Sequence, residues 1–175
     1  MIEAFLLLVL FHNVYFVQGM NYGNSVYFLV TYQSFNSVLY NNSKPIISFK
    51  GIGYLYEYNG SLIVLDNEGD SLSIFISRNG ANFTERTLVS NGLIEGVPLF
   101  SSGYVVTINN GYLQVFDVYS GKEILNESFI GEPLAFYYPD LIYGYISGNG
   151  VQAYEYDVAT NTSTYLGDLK GVGFT

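Results

Sequence analysis

From residue 20 onward the chain alternates apolar and polar side chains. Ser71-Leu72-Ser73-Ile74-Phe75-Ile76-Ser77 and Leu113-Gln114-Val115-Phe116-Asp117-Val118 follow a period of two and are rich in β-branched and aromatic residues. No apolar set recurs at helical spacing for three turns, Ala is scarce and Gly numbers 19. The pattern predicts an all-β protein. Asn-Gly occurs five times, at Asn59, Asn79, Asn91, Asn110 and Asn149. A type I′ hairpin turn needs positive φ at both central residues, which Asn and Gly adopt most readily. Asn110-Gly111 is therefore predicted to join Tyr104–Ile108 to Tyr112–Val118, and Asn149-Gly150 to join Leu141–Ile146 to Val151–Tyr156.

Ahead of this region the alternation gives way to an apolar run, Ala4 to Val17. Its length suits a secretory signal or a short anchor and is too short to span a bilayer comfortably. Val17 and Gly19 are small enough to precede a signal-peptidase cut, so residues 1–19 are expected to act as a leader, with a mature chain beginning near Met20. Against this, Met-Ile-Glu supplies no basic n-region and His12-Asn13 interrupts the run. The competing expectation is a buried strand, because Val14-Tyr15-Phe16-Val17 has high β propensity.

The strands recur in register. Leu72 to Gly80 lies over Leu113 to Gly121 at a shift of 41, and Phe116 to Ser120 over Tyr156 to Thr160 at a shift of 40. A Gly ahead of an aromatic opens each unit: Gly51-Ile-Gly-Tyr54, Gly96-Val-Pro-Leu-Phe100, Gly131-Glu-Pro-Leu-Ala-Phe136 and Gly171-Val-Gly-Phe174, after a degenerate Gly19-Met-Asn-Tyr22. These boundaries divide residues 20–175 into a single all-β domain of about four units, 20–50, 51–95, 96–130 and 131–170. Each has room for about four short strands, the spacing of propeller blades.

In the last two units the wording becomes specific. Gly131 to Asp140, Ile142 to Gly150 and Val151 to Asn161 resemble the surface-layer (Tyr-Val-Thr-Asn-like) type of β-propeller repeat, with its Gly–Pro step, Pro-Asp turn and Asp-x-x-Thr/Ser turn. Gly103 to Lys122 resembles a quinoprotein-type blade, ending in Asp117-Val-Tyr-Ser-Gly-Lys122. The resemblance covers two units well and two loosely. It implies a β-propeller-like array of about four antiparallel blades, with a β-sandwich made of the same hairpins as the alternative, and it leaves function open. Four units are fewer than most such families use. The chain is thus expected to be a fragment, a ring closed by strand exchange, an open array, or an array completed by a partner.

Composition narrows the partners. Charged residues make up 12% of the chain, about half the usual share, while 18 Tyr and 13 Phe raise the aromatics to 18%. The surface is expected to be dressed with Tyr, Asn, Ser, Thr and Gly, as in secreted or packed-together proteins. Six Lys+Arg are scattered singly against 15 Asp+Glu, which excludes a phosphate-backbone footprint and hence nucleic acid. With no Cys there are no disulfides and no thiolate sites, and the one histidine, His12, sits in the leader.

Few candidate sites emerge. Asp66, Glu68 and Asp70 alternate in a Gly-containing segment, the way a hard cation such as calcium is collected, but a solvated hairpin tip explains them better. Glu155 and Asp157 alternate on one strand, and Glu57 and Glu95 lie elsewhere, without the pairing that glycoside hydrolysis requires. Asp117 and Asp157 share a repeat position, which suits turn formation. Asn41, Asn59, Asn82, Asn126 and Asn161 head Asn-x-Ser/Thr sequons near turns or strand ends and are candidate glycosylation sites. Tyr54, Tyr56, Tyr58, Tyr137 and Tyr138 are candidate contact residues, since large amphipathic rings make contact surface at low entropy cost.

The reading that follows is an extracellular or surface-associated binding or assembly domain without catalytic residues or cofactor. Its partner would be a protein or glycan at the cell surface, or further copies of itself. The rivals are a structural subunit of a surface layer, filament or virion, and a fragment of a carbohydrate-active propeller enzyme.

Overall fold

The computed structural model describes residues 13–147 and 150–169, and every regular element among them is a strand. His12, residues 4–11 of the apolar run, Asn149 and Gly171 to Phe174 lie outside the described residues. The chain divides into two compact units, residues 1–91 and 92–175.

In the first unit, β1 (Val14–Tyr22), β2 (Ser25–Tyr32), β3 (Ser37–Asn41) and β4 (Lys44–Phe49) form one antiparallel meander. A second follows in β5 (Ile52–Tyr58), β6 (Ser61–Asn67), β7 (Leu72–Ser77) and β8 (Thr84–Val89). Val14 to Val17, the end of the apolar run, open β1 and pair with β2. The second unit repeats the plan twice. Its sheets are β9 (Ile94–Ser101), β10 (Tyr104–Asn109), β11 (Tyr112–Asp117) and β12 (Glu123–Ser128), then β13 (Glu132–Tyr137), β14 (Asp140–Ser147), β15 (Gly150–Asp157) and β16 (Thr162–Leu169).

Asn-Gly does its expected work at two places. Asn59-Gly60 and Asn110-Gly111 both take positive φ, and the flanking pairs Tyr58↔Ser61 and Asn109↔Tyr112 close two-residue hairpins. Asn79 acts differently: its Oδ1 accepts the N–H groups of Ala81 and Asn82, folding a wider loop between β7 and β8. β14 and β15 pair as predicted, and Ser147↔Gly150 is the last pair, so Gly150 belongs to the strand.

The repeat is physical as well as verbal. Asp117 Oδ1 accepts both the N–H and the Oγ–H of Ser120, at 2.7 and 2.8 Å. Asp157 Oδ1 accepts the N–H groups of Ala159 and Thr160, at 2.8 and 3.0 Å. The next residue is a buried Val in each case, and its N–H returns to the first hairpin of its own sheet, Val118 to Gly103 O and Val158 to Pro139 O. The N–H of Thr160 is the main cause holding the Asp157 carboxyl below its ordinary value. A depressed carboxylate stabilises the fold above its unfolded pKa, and this is lost as pH falls through the folded value. Asp117→Ala should lower stability by about 1 kcal/mol, read from the urea midpoint, and Asp117→Asn by less because an acceptor remains.

The cores sit where sheets face one another within a unit. Tyr27, Leu29, Leu39, Phe49, Leu55, Leu62 and Val64 fill the first, and Val106, Ile108, Leu113, Val115, Leu141, Tyr156 and Val158 the second. The middle strands β6, β10 and β11 are buried over four to six successive residues, so both of their faces are covered there. Polar groups join the two sheets of the first unit. Gln18 on β1 donates its Nε2 to Leu55 O (2.8 Å) and accepts Leu55 N–H on its Oε1 (2.7 Å), so one amide completes the open edge of β5 as a neighbouring strand would.

Candidate functional site

The sequence candidates disperse in the structure. Asp66 lies on β6, 3% exposed, with Oδ1 accepting Gly51 N–H at 2.9 Å. Glu68 and Asp70 are exposed in the β6–β7 hairpin, which closes through Glu68 N–H to Ser71 O. Among the described residues no three His, Cys, Asp or Glu groups assemble as a metal site.

The sequon asparagines differ in how open they are. Asn59 and Asn82 are exposed on turns. Asn126 is exposed and donates to Glu123 Oε1. Asn161 accepts Tyr156 Oη at 2.5 Å and donates to Glu127 at 3.3 Å. Asn41 is half-buried, with Nδ2 on Tyr27 Oη and Oδ1 buried without a partner among the described residues, so a glycan there would displace a packed amide.

Of the tyrosines singled out, Tyr54, Tyr56 and Tyr58 are half-buried along β5. Burial pushes the Tyr56 hydroxyl up to about 12, and the Tyr54 hydroxyl upward as well. Tyr138 stacks on Tyr104 with centroids 3.9 Å apart. Tyr137 alone of the five is fully presented, at 76% exposure.

An aromatic ladder crosses the last sheet. Tyr143, Tyr154 and Tyr165 stand directly opposite one another on β14, β15 and β16, with ring centroids 5.3 Å apart at each step. Phe129 meets Tyr143 edge-on at 4.9 Å and extends the ladder. Tyr165 is half exposed, and its hydroxyl donates to Asp168 at 2.6 Å, the main cause raising its pKa. Leu166 is the extra residue at the bulge that follows and is also half exposed. Of the three, Tyr154 belongs to a cluster visible in sequence, Tyr154-Glu-Tyr156, and Tyr143 and Tyr165 join it through strand register.

Exposed apolar side chains are unevenly shared. Among the described residues, Tyr15, Phe16, Val26 and Phe35 are the large exposed ones up to Asn91. From Gly92 onward there are eleven, among them Ile130, Tyr137, Ile146, Tyr165 and Leu166. Charge is uneven too. Residues 1–91 hold four Lys+Arg and six Asp+Glu (net −2), and residues 92–175 hold two and nine (net −7).

No protein-family model matches the chain, and no curated protein matches it in sequence. Solved structures do. A prolyl endopeptidase is similar at a TM-score of 0.61 and 14% identity, over 89% of this chain and 26% of that one. A HIRA structure is similar at 0.55 and 12%, over 90% and 54%. A chain of a nidogen/laminin complex is similar at 0.51 and 17%, over 78% and 57%. The neighbours are β-propeller proteins, and this chain spans roughly a quarter to just over half of their lengths. The four sheets are propeller-like blades. At these identities the likeness carries the fold and leaves the activity to the site.

Proposed function

We propose that this chain is a non-catalytic binding or assembly domain working at a cell surface or outside the cell, and that its last blade makes the contact. The observation that carries the reading is the crowding of exposed aliphatic and aromatic side chains onto residues 92–169. Isolated exposed apolar residues are ordinary, but a concentration of them marks an interaction surface. The surface-layer wording of residues 131–161, the sequons on open turns at Asn59 and Asn82, and the low charge content support a location outside the cytoplasm. A protein partner is favoured because the exposed set mixes Ile, Leu and Val with Tyr.

The test is retention of tagged protein on unpermeabilised producing cells. Tyr165→Ser with Leu166→Ser should cut surface-retained protein about tenfold or more, the scale of losing one anchor pair. Tyr15→Ser with Phe35→Ser, an exposed aromatic pair of the first unit, should retain it. Labelling only after permeabilisation, or equal retention by both variants, overturns the reading.

A further inference from the structure

We propose that a groove on the last blade receives a lysine side chain from a basic, aliphatic segment of a protein partner. This rests on the binding role above and adds the chemistry of the partner. The groove has a volume of about 410 Å³ and is lined by Glu132, Pro133, Leu134, Gly144 and Ile146. That is space for a long side chain with its flanking backbone, at the small end of ligand pockets. Leu134 and Ile146 are exposed, so the groove offers aliphatic walls to solvent. Gly144 keeps it open: a Cβ there would stand 3.1 Å from Val151 Cγ1 and 3.4 Å from Leu134 Cδ1.

Glu132 is the one charged group in the lining, and among the described residues it has no hydrogen-bond or ion-pair partner. Its Oε1 lies only 3.0 Å from where a Cβ of Gly96 would be, over a residue that turns at φ +72 and has no side chain to cover it. Glu95, its counterpart on β9, is already committed and accepts Gly111 N–H at 2.8 Å. An uncommitted carboxylate beside aliphatic walls is complementary to a four-carbon stem ending in a compact ammonium. The lining has no aromatic face on which a guanidinium would stack.

Charge selects the partner further. With net −7 on residues 92–175, this unit attracts basic segments and repels a second copy of itself.

The test titrates the full chain with fluorescent peptides of sequence Ser-Ile-X-Ile-Ser, where X is lysine, norleucine or glutamate. The lysine peptide should bind about tenfold tighter than norleucine at low salt, and the glutamate peptide weakest. Glu132→Gln should erase the lysine-over-norleucine preference while leaving norleucine binding and the urea midpoint in place. Ile146→Ser should weaken lysine and norleucine peptides alike. A lysine preference that survives Glu132→Gln means general attraction to an acidic surface and overturns the proposal. Absence of any peptide binding overturns it too, and in that case the Tyr165/Leu166 retention experiment still decides the broader binding role separately.

Discussion

Gly51→Ala is expected to destabilise the first unit by about 3 kcal/mol or more, enough to unfold a chain of ordinary marginal stability near physiological temperature. A Cβ at Gly51 would sit 2.1 Å from Asn67 O and 2.7 Å from Glu68 N. Both are backbone atoms, so relief requires moving the end of β6 itself. Gly51 also anchors the polar joint between the first two blades. Its N–H is held by Asp66 Oδ1, and its carbonyl accepts the Ser37 hydroxyl at 2.8 Å. That hydroxyl in turn accepts Gly53 N–H at 2.8 Å, so its contact with Thr31 Oγ1 must be one in which Thr31 donates. Shifting Gly51 breaks the chain at its centre.

The control is the same substitution at Gly150 on β15, where a Cβ would meet nothing within 4 Å among the described residues. Gly150→Ala should change stability by about 0.5 kcal/mol or less, or raise it slightly by restricting the unfolded chain. Urea midpoints of the two variants, measured side by side, decide the matter. A Gly51→Ala protein within about 1 kcal/mol of the parent would show that β4–β5 and the end of β6 are not packed as described.

These glycines also show how far the sequence could be read. Gly51-Ile-Gly53 is visible as the opening phrase of a unit, because the phrase recurs at Gly131 and Gly171. Why glycine is needed there is not visible, since the reason is a carbonyl sixteen residues away. Strands, hairpins and the repeat are legible because alternation, Asn-Gly and Asp-x-x-Ser/Thr act over two to five residues. The equivalence of Asp117 and Asp157 could be named from spacing, and their hydrogen bonds repeat accordingly. The contact surface was less legible. Tyr54, Tyr56 and Tyr58 look like a solvent-facing cluster in sequence but lie half-buried along β5, whereas Tyr143, Tyr154 and Tyr165 come from three strands and meet only once register is set. Asp66 reads as one of three carboxylates at a hairpin tip, yet it faces Gly51 inside the unit while Glu68 and Asp70 face water.

That burial of Asp66 carries the second large effect. Loss of solvent pushes its carboxyl up to about 6 from 3.8, opposed by the N–H groups of Gly51 and Lys50 and reinforced by the charges of Glu68 and Glu85. A carboxyl with a raised folded pKa binds its proton more tightly in the folded than in the unfolded chain. Stability from this group is therefore fully present below about 3.8, declines as pH rises, and is lost above about 6. A displacement of about two units corresponds to roughly 2–3 kcal/mol across that window. Asp157, whose carboxyl is held below its ordinary value, contributes a slope of the opposite sign, so the parent's own pH profile mixes opposing slopes. Asp66→Asn isolates the one group: it keeps an oxygen for Gly51 N–H and removes the charge. The variant should match the parent near pH 4 and exceed it by about 2 kcal/mol at pH 8, with the difference opening between pH 4 and 6. Asp66→Leu should be less stable than Asp66→Asn at every pH, because Gly51 N–H then loses its acceptor in a buried place. Parallel profiles for parent and Asp66→Asn would mean that the carboxylate is hydrated in the folded chain and that the joint between the first two blades is open to water.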